Sequence, residues 1–157
     1  MLFRSGKVQS VLNGSAISLV YQPIFDLTRA VVIGFESLAR FTTTPMRSPD
    51  AWFADAALVG LDVQLEMKVI EQALQSFTSL PSGVFVGFNV SPNIVINGQL
   101  DHAFQAVALE RILLEINEHV SIREYDVSPR RCVRCATRGC AFRSTIPARA
   151  SAASGTS

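Results

Sequence analysis

The stretch from Val31 to Phe41 reads VVIGFESLARF and decides the fold. Its β-branched and aromatic residues predict a strand, and Gly34 marks a point of close backbone approach. The preceding segment, Ile17 to Leu27 (ISLVYQPIFDL), is also typical of a strand. Because only three residues separate the two segments, we expect a hairpin or tight turn. Proline cannot donate to a ladder, so the regular part of the first strand is predicted to end near Gln22.

Similar apolar runs occur further along the chain, at Val84 to Val90 (VFVGFNV) and Ile112 to Ile116 (ILLEI). The spacing of apolar residues predicts helices from about Pro49 to Gly60 and from Val63 to Phe77. A further helix is expected over Leu100 to Leu109. Apolar strands that alternate with helices indicate an α/β fold whose parallel sheet is covered on both faces.

Three of these apolar runs lead into an oxygen-bearing side chain: Glu36, Asn89 and Glu115. In parallel α/β folds the carboxyl ends of the strands point to a common face, where ligands bind. Two carboxylates and a carboxamide at that face would form a hard oxygen site suited to Mg²⁺ or Mn²⁺. The alternative from the residues alone is that each is a solvated turn residue at the end of a strand.

The composition fits one globular domain: 157 residues, of which 48% are hydrophobic and 17% charged. No apolar run reaches the ~18 residues that a membrane helix needs. The first 15 residues lack the apolar stretch of a signal peptide. We therefore expect a cytoplasmic protein without a membrane segment.

Charge divides the chain into two unequal parts. Residues 1–126 hold eight Lys and Arg and all 13 Asp and Glu, whereas residues 127–157 hold six Arg and no acid. The net charges are therefore −5 and +6. This division places a boundary near residue 126 and predicts a basic, disordered tail over 127–157. The part before the tail is expected to consist of a lead-in over 1–15 and a folded domain over 16–126.

Four motifs in order resemble the EAL domain family. Tyr21 to Ile24 (YQPI) and Gly34 to Phe41 (GFESLARF) resemble the family patterns YQPI and GxEALxR. Phe88 to Pro92 (FNVSP) resembles N-[LV]-S, and Leu114 to Glu118 (LEINE) resembles ExTE. Order and spacing agree from residue 17 to about residue 126. Ser37 stands in place of the signature alanine, and Asn117 in place of threonine.

The resemblance implies a partial TIM-like (β/α) barrel and a metal-dependent phosphodiesterase that linearises cyclic di-GMP to pGpG. The implied ligands of Mg²⁺ or Mn²⁺ are Glu36, Asn89 and Glu115. Of the implied substrate contacts, Arg40 holds a phosphate as a bidentate donor, Gln22 reaches a guanine edge, and Leu38 packs against the substrate. The alternatives for these three are a solvated strand-end arginine, a turn residue and plain core.

The motifs end after Glu124-Tyr125-Asp126. The family's DDFG-type aspartate pair and its later lysine and glutamate have no counterpart after that point. The switch to Arg, Cys, Ser and Ala is typical of a GC-rich gene read out of frame, so we hypothesise a frameshift near codon 127. A DDFG-like continuation in another frame of the coding DNA would support this hypothesis, and its absence would exclude it.

Two consequences are expected of such a chain. The catalytic site would be incomplete, and open sheet edges would favour self-association or a homo-oligomer. The alternative function is a degenerate EAL domain that binds cyclic di-GMP or a protein partner without cleavage.

The tail raises two further alternatives. Cys132, Cys135 and Cys140 resemble part of a zinc site, but a structural site needs four ligands, and His119 lies 13 residues before the first of them. A basic tail is also typical of nucleic-acid binding, although Phe142 is its only aromatic residue. The ligand that the family resemblance implies is cyclic di-GMP, and we expect no nucleic-acid polymer.

Overall fold

The computed structural model describes residues 2–105, 107–116 and 141–144. Helix α1 (Leu2–Asn13) precedes strands β1 (Ile17–Asp26) and β2 (Val31–Phe41). Helices α2 (Pro49–Leu58) and α3 (Asp62–Phe77) lead to strand β3 (Phe85–Val90). Two short helices follow, α4 (Pro92–Ile96) and α5 (Gln99–Ala103). A 3₁₀ turn (Leu109–Arg111) enters strand β4 (Ile112–Ile116), and β5 is Ala141–Ser144.

The strands form one sheet in the order β1-β2-β3-β4-β5. The β1–β2 pair is antiparallel, as the hairpin prediction requires, and each later pair is parallel. The prediction of an α/β fold with a largely parallel sheet is therefore confirmed. Burial on both faces does not hold for β1, because its residues Ser18, Val20 and Gln22 are exposed.

Strand β1 continues past the point where proline was expected to end it. Pro23 pairs with Phe35, and the register shifts only between Ile24 and Phe25. Since β1 is the outer strand of the described sheet, its proline need not donate to a second neighbour. The prediction that the regular strand ends near Gln22 is therefore wrong.

Helices α2 and α3 confirm the predicted helical segments. Ser48 caps α2 by accepting a hydrogen bond at Oγ from the Ala51 N–H, with Pro49 in the first turn. Gly60 follows α2 with a φ of 71°, the left-handed conformation that glycine adopts most readily. The chain can therefore turn directly into α3.

The helix predicted over Leu100 to Leu109 is too long. Helix α5 ends at Ala103, and the next residue, Phe104, is buried with its ring centroid 5.9 Å from that of Phe88. Packing of this aromatic ring against β3 takes the place of further helical turns. Local spacing does not reveal such a tertiary contact.

The lead-in segment forms helix α1, which the sequence patterns did not indicate. Val8 and Val11 are buried in a cluster that includes Phe41 and Trp52, whose rings stack with centroids 5.6 Å apart. This cluster joins α1, α2, the outer ends of the hairpin and Leu65 of α3. It forms the smaller of two core clusters.

An ion-pair network also ties α1 to α2. Asp55 lies 2.9 Å from Arg4 Nη1 and 2.8 Å from Arg47 Nη1. The hydrogen bond from Arg47 is the main reason that the pKa of Asp55 lies below its ordinary value. The guanidinium of Arg47 also lies over the Trp52 ring, 4.9 Å from its centroid.

The larger core cluster lies between the sheet and helices α3, α4 and α5. Alternate residues of β3, Val86, Phe88 and Val90, are buried in it, as are Ile112 and Leu114 of β4. Helix α3 joins the two clusters, because Leu65 is buried in the smaller one and Ile70, Ala73 and Phe77 are buried in the larger one.

Four residues of the tail form β5, which pairs in parallel with β4. The sequence alone did not indicate a strand there. The three cysteines considered for zinc, and the rest of 127–157, lie outside the described residues. Among the helices that the structure describes, none combines the length and apolar character needed to cross a bilayer.

The two glycines at the centre of the sheet give a test of this packing. A Cβ on Gly34 would lie 2.6 Å from the Phe85 ring, whereas a Cβ on Gly87 would meet nothing closer than 3.8 Å. We expect Gly34→Ala to lower the free energy of unfolding by about 1–3 kcal/mol, because the ring must move. Gly87→Ala is the matched control and should change it far less, in urea denaturation followed by Trp52 fluorescence.

Equal effects of the two substitutions would contradict the close approach of Phe85 to Gly34. Replacing the ring with a smaller side chain, in the double variant Gly34→Ala/Phe85→Leu, should recover part of the lost free energy of unfolding. The three atoms nearest to the added Cβ all belong to the Phe85 ring.

Candidate functional site

The six residues singled out from the sequence all lie on one face of the sheet. Successive residues of a strand point to opposite faces, and residues paired in register share a face. Gln22 pairs with Glu36, and further along β2 Leu38 and Arg40 are two and four residues beyond Glu36. Glu36 pairs with Gly87, and Asn89 is two residues beyond Gly87. Asn89 in turn pairs with Glu115.

This common face is named the site face here, and it is defined by Gln22, Glu36, Leu38, Arg40, Asn89 and Glu115. The opposite face carries the buried residues of β3 and β4 and packs against the helices. The sheet therefore separates an apolar side from a side with three oxygen-bearing residues. These three, Glu36, Asn89 and Glu115, are half-buried.

Two of the three oxygen-bearing side chains are in direct contact. Asn89 Nδ2 donates a hydrogen bond of 2.7 Å to Glu36 Oε1. The contact is diagonal across the β2–β3 pair, since the Cα partner of Glu36 is Gly87. Sequence separation between the two residues is 53 positions, so only the folded sheet brings them together.

Glu115 is the Cα partner of Asn89, so the third candidate lies beside the second on the neighbouring strand. Both are the penultimate residues of their strands, as predicted. Glu36 instead lies in the middle of β2, because pairing with β1 extends that strand to Phe41. It is nevertheless near the end of the shorter β2–β3 pairing, which closes at Ser37 and Phe88.

The predicted substrate contacts lie on the same face along the hairpin. Gln22 is exposed on the outer strand, and Leu38 is half-buried opposite Val20. Arg40 is exposed, and its Nη1 donates a 2.8 Å hydrogen bond to the Ala39 carbonyl. The structure brings these residues onto the face of Glu36, and their individual roles stay predictions.

The chemistry of the donors fits a hard divalent cation. Carboxylate and carboxamide oxygens are the ligands that Mg²⁺, Mn²⁺ and Ca²⁺ take in proteins. Within the described ranges, no group of three His, Cys, Asp or Glu side chains could hold a metal ion. A site here therefore needs the carboxamide of Asn89 as well as the two carboxylates.

Strand β5 extends the sheet beyond Glu115. Its four residues, Ala-Phe-Arg-Ser, include no carboxylate. The Cα partner of Glu115 on this strand is Arg143. A basic residue type thus occupies the register position next to the last candidate ligand.

The sequence patterns did not identify a further buried polar contact close to this site. Glu66 is the only buried charged residue among those described, with 8% of its surface exposed. Its carboxylate accepts two hydrogen bonds from Ser91, one from the backbone N–H and one of 2.7 Å from Oγ. The signal in the sequence that could have identified Glu66 is the presence of an acidic residue on the apolar face of α3, at helical spacing from Ile70 and Phe77.

Burial is the main cause that raises the pKa of Glu66, because it disfavours the charged carboxylate. The hydrogen bonds from Ser91 act in the opposite direction, and the negative charge of Asp62 raises the pKa further. The net direction is upward from the ordinary value of 4.5.

Comparison with known proteins identifies a family from the sequence and a similar fold among solved structures. The profile of the EAL domain matches residues 6–142, beyond the last recognisable motif. The structure of an EAL domain protein from Listeria monocytogenes EGD-e is similar, with a TM-score of 0.72 at 20% identity over 89% of this chain and 58% of that chain. No curated protein sequence matches.

Two further solved structures carry ligands. The YkuI protein of Bacillus subtilis, in complex with substrate c-di-GMP and calcium, has a TM-score of 0.70 at 21% identity, covering 88% of this chain and 38% of that chain. BlrP1 of Klebsiella pneumoniae, as a manganese and cyclic di-GMP complex, has a TM-score of 0.66 at 21% identity, covering 84% and 35%. The chain thus spans less than two thirds of each of these structures.

The raised pKa of Glu66 predicts a specific dependence of stability on pH. In the unfolded chain the carboxyl loses its proton near pH 4.5, and in the folded chain it does so at a higher pH. Its ionisation therefore lowers the free energy of unfolding as pH rises through that window. Glu66→Gln keeps one acceptor and one donor for Ser91 but cannot ionise, so its stability relative to the natural chain should increase as pH rises above 4.5.

Urea denaturation between pH 4 and pH 8, followed by the fluorescence of the single tryptophan, measures this difference. Glu71→Gln, at an exposed position of the same helix, controls for the removal of one carboxylate. A difference between Glu66→Gln and the natural chain that stays constant across the range would contradict the prediction.

Proposed function

Because the chain belongs to the EAL domain family, we propose that its site face binds cyclic di-GMP together with a divalent cation. The observation that carries this proposal is the 2.7 Å hydrogen bond between Asn89 and Glu36, with Glu115 in register beside Asn89. Three oxygen-bearing residues thus occupy adjacent parallel strands on one face. The carboxyl ends of parallel strands are the usual ligand position in α/β folds.

In this proposal Glu36, Asn89 and Glu115 hold the cation, which is Mg²⁺ or Mn²⁺. A cation bound there supplies charge neutralisation for a phosphate and a lower pKa for a bound water. The neighbouring structures solved with calcium or manganese support a divalent cation in general. All three residues are half-buried, so each keeps some surface exposed at this face.

Arg40 would bind a phosphate of the dinucleotide. Its guanidinium has five N–H donors, and the bond to the Ala39 carbonyl uses one of its terminal nitrogens. Arg40 is four positions beyond Glu36, about 13 Å along an extended strand. Arg40 would therefore contact a different part of the ligand from the part that faces the cation.

Gln22 and Leu38 would complete the contacts with the base. Leu38 lies between Glu36 and Arg40 on the same face, and its half-buried side chain offers an apolar surface. The exposed carboxamide of Gln22 presents both a donor and an acceptor, which a guanine edge requires. Both would contribute to binding without taking part in a chemical step.

Hydrolysis to linear pGpG is the reaction that we propose for the family site. Binding without cleavage is the second candidate, and one observation favours it for this chain. The register position next to Glu115 on β5 is Arg143, and β5 has no carboxylate that would add a ligand. We therefore expect binding to exceed catalysis, with hydrolysis weak or absent.

Titration calorimetry of cyclic di-GMP into the full chain with Mn²⁺ tests the proposal, and chromatography of the same mixture detects pGpG. Glu36→Ala should weaken binding at least about tenfold, since it removes a proposed cation ligand and the hydrogen bond that this ligand accepts from Asn89. Glu71→Ala is the control, because Glu71 is exposed on α3 and lies outside the site face.

Absence of binding by a folded chain, or equal binding by Glu36→Ala, would contradict the proposed function. Formation of pGpG that disappears in Glu36→Ala would show that the chain also catalyses, and would exclude binding without cleavage.

A further inference from the structure

The contact between Glu66 and Ser91 has a feature that local helix capping does not explain. Ser91 is the N-cap of the five-residue helix α4, where a serine normally accepts a hydrogen bond from the backbone of the first turn. No such side-chain cap is present here. The Ser91 hydroxyl instead donates to Glu66, on a different helix and 25 positions away in sequence.

The place of this contact relative to the strands is also informative. The pairing of β3 with β4 ends at Val90 and Ile116. Ser91 is therefore the first residue after β3 that has no partner on a neighbouring strand. Asn89 lies only two residues before it. The two hydrogen bonds from Ser91 to Glu66 therefore fix the backbone immediately after the candidate ligand.

Glu66 itself is rigidly placed. It follows Leu65, which is fully buried in the smaller core cluster, and precedes Ile70, which is buried in the larger one. Burying a carboxylate among such side chains is unfavourable unless its oxygens are satisfied. Each of the two oxygens accepts one hydrogen bond from Ser91, so the same contact satisfies Glu66 and holds the strand end.

We propose that Glu66 is a positioning residue for the cation site: through Ser91 it holds the end of β3 so that Asn89 meets Glu36. This inference rests on the proposed function, since it names a residue that acts on the same site. Glu66 lies behind the strand end and acts through the backbone. The expected consequence of its loss is weaker cation binding with the fold intact.

The test measures Mn²⁺ binding to the full chain by the electron paramagnetic resonance signal of free Mn²⁺. The part of the binding that Glu36→Ala removes defines the site. Glu66→Leu should weaken this part about tenfold or more, the range found when residues behind a metal ligand are replaced. Glu66→Gln should stay within about threefold of the natural chain, because its carboxamide can accept from the Ser91 N–H and donate to Oγ.

Melting temperature separates positioning from a purely structural role. Leucine fills the buried position without a charge, so Glu66→Leu should bind Mn²⁺ weakly without a matching loss of melting temperature. Ser91→Ala removes only the hydroxyl bond and provides a second variant in case Glu66→Leu does not fold. It should weaken Mn²⁺ binding severalfold, and Glu71→Gln should leave it unchanged.

The outcomes distinguish failure of the positioning role of Glu66 from failure of the proposed function. If the natural chain binds Mn²⁺ but Glu66→Leu and Ser91→Ala bind it equally well, the positioning role is overturned and the proposed function stands. The role is also overturned if Mn²⁺ affinity merely follows melting temperature across the variants. If the folded natural chain binds no Mn²⁺ that depends on Glu36, the proposed function fails and the positioning role fails with it.

Discussion

The two-residue alternation of the strands is the constraint on which the site depends. Val86, Phe88 and Val90 must face the helices to be buried, and this requirement turns Gly87 and Asn89 to the opposite face. A slip of one residue would expose the apolar set and bury the polar one. The free energy that fixes the direction of Asn89 thus comes from burial of its neighbours on the strand. Packing of the core thus decides the face to which Asn89 points, and contacts within the site then decide which side-chain conformation it adopts there.

The contacts that set the pairing register of the strands differ from those that decide the face to which each side chain points. The hairpin sets β2 against β1, and the approach of the Phe85 ring to Gly34 occurs where β2 and β3 begin to pair. Helix α3 adds a second constraint, because it contributes buried residues to both core clusters. Glu66 lies on this helix between Leu65 and Ile70, and the hydrogen bonds that it accepts from Ser91 connect the helix to the residue that follows β3.

The sequence predicted those features that depend on local pattern. The strands at 31–41 and 112–116 and the helices α2 and α3 follow from residue type and helical spacing, and the proximity of Asn89 and Glu115 follows from their places near the carboxyl ends of parallel strands. It failed where distant contacts override local preference. Pro23 is accommodated because β1 is an outer strand, and Phe104 ends α5 because its ring packs on Phe88. Helix α1 was missed because the burial of Val8 depends on partners such as Trp52, more than 40 positions away. The contact of Ser91 with Glu66 could not be predicted from the motif around Ser91, since Glu66 lies on α3, 25 positions away in sequence.

The charges of the site explain why a carboxamide stands between two carboxylates. Residues paired across neighbouring strands have Cβ atoms about 5 Å apart, so a carboxylate in place of Asn89 would bring a third negative charge into the row. Asn89 instead donates to Glu36 and stabilises its negative charge. Two carboxylates still remain on this face, and the basic residue among those that define it, Arg40, lies four positions beyond Glu36 along β2. Under the proposed function a divalent cation would balance the charges of Glu36 and Glu115, and the register position beside Glu115 on β5 holds a basic residue type, Arg143.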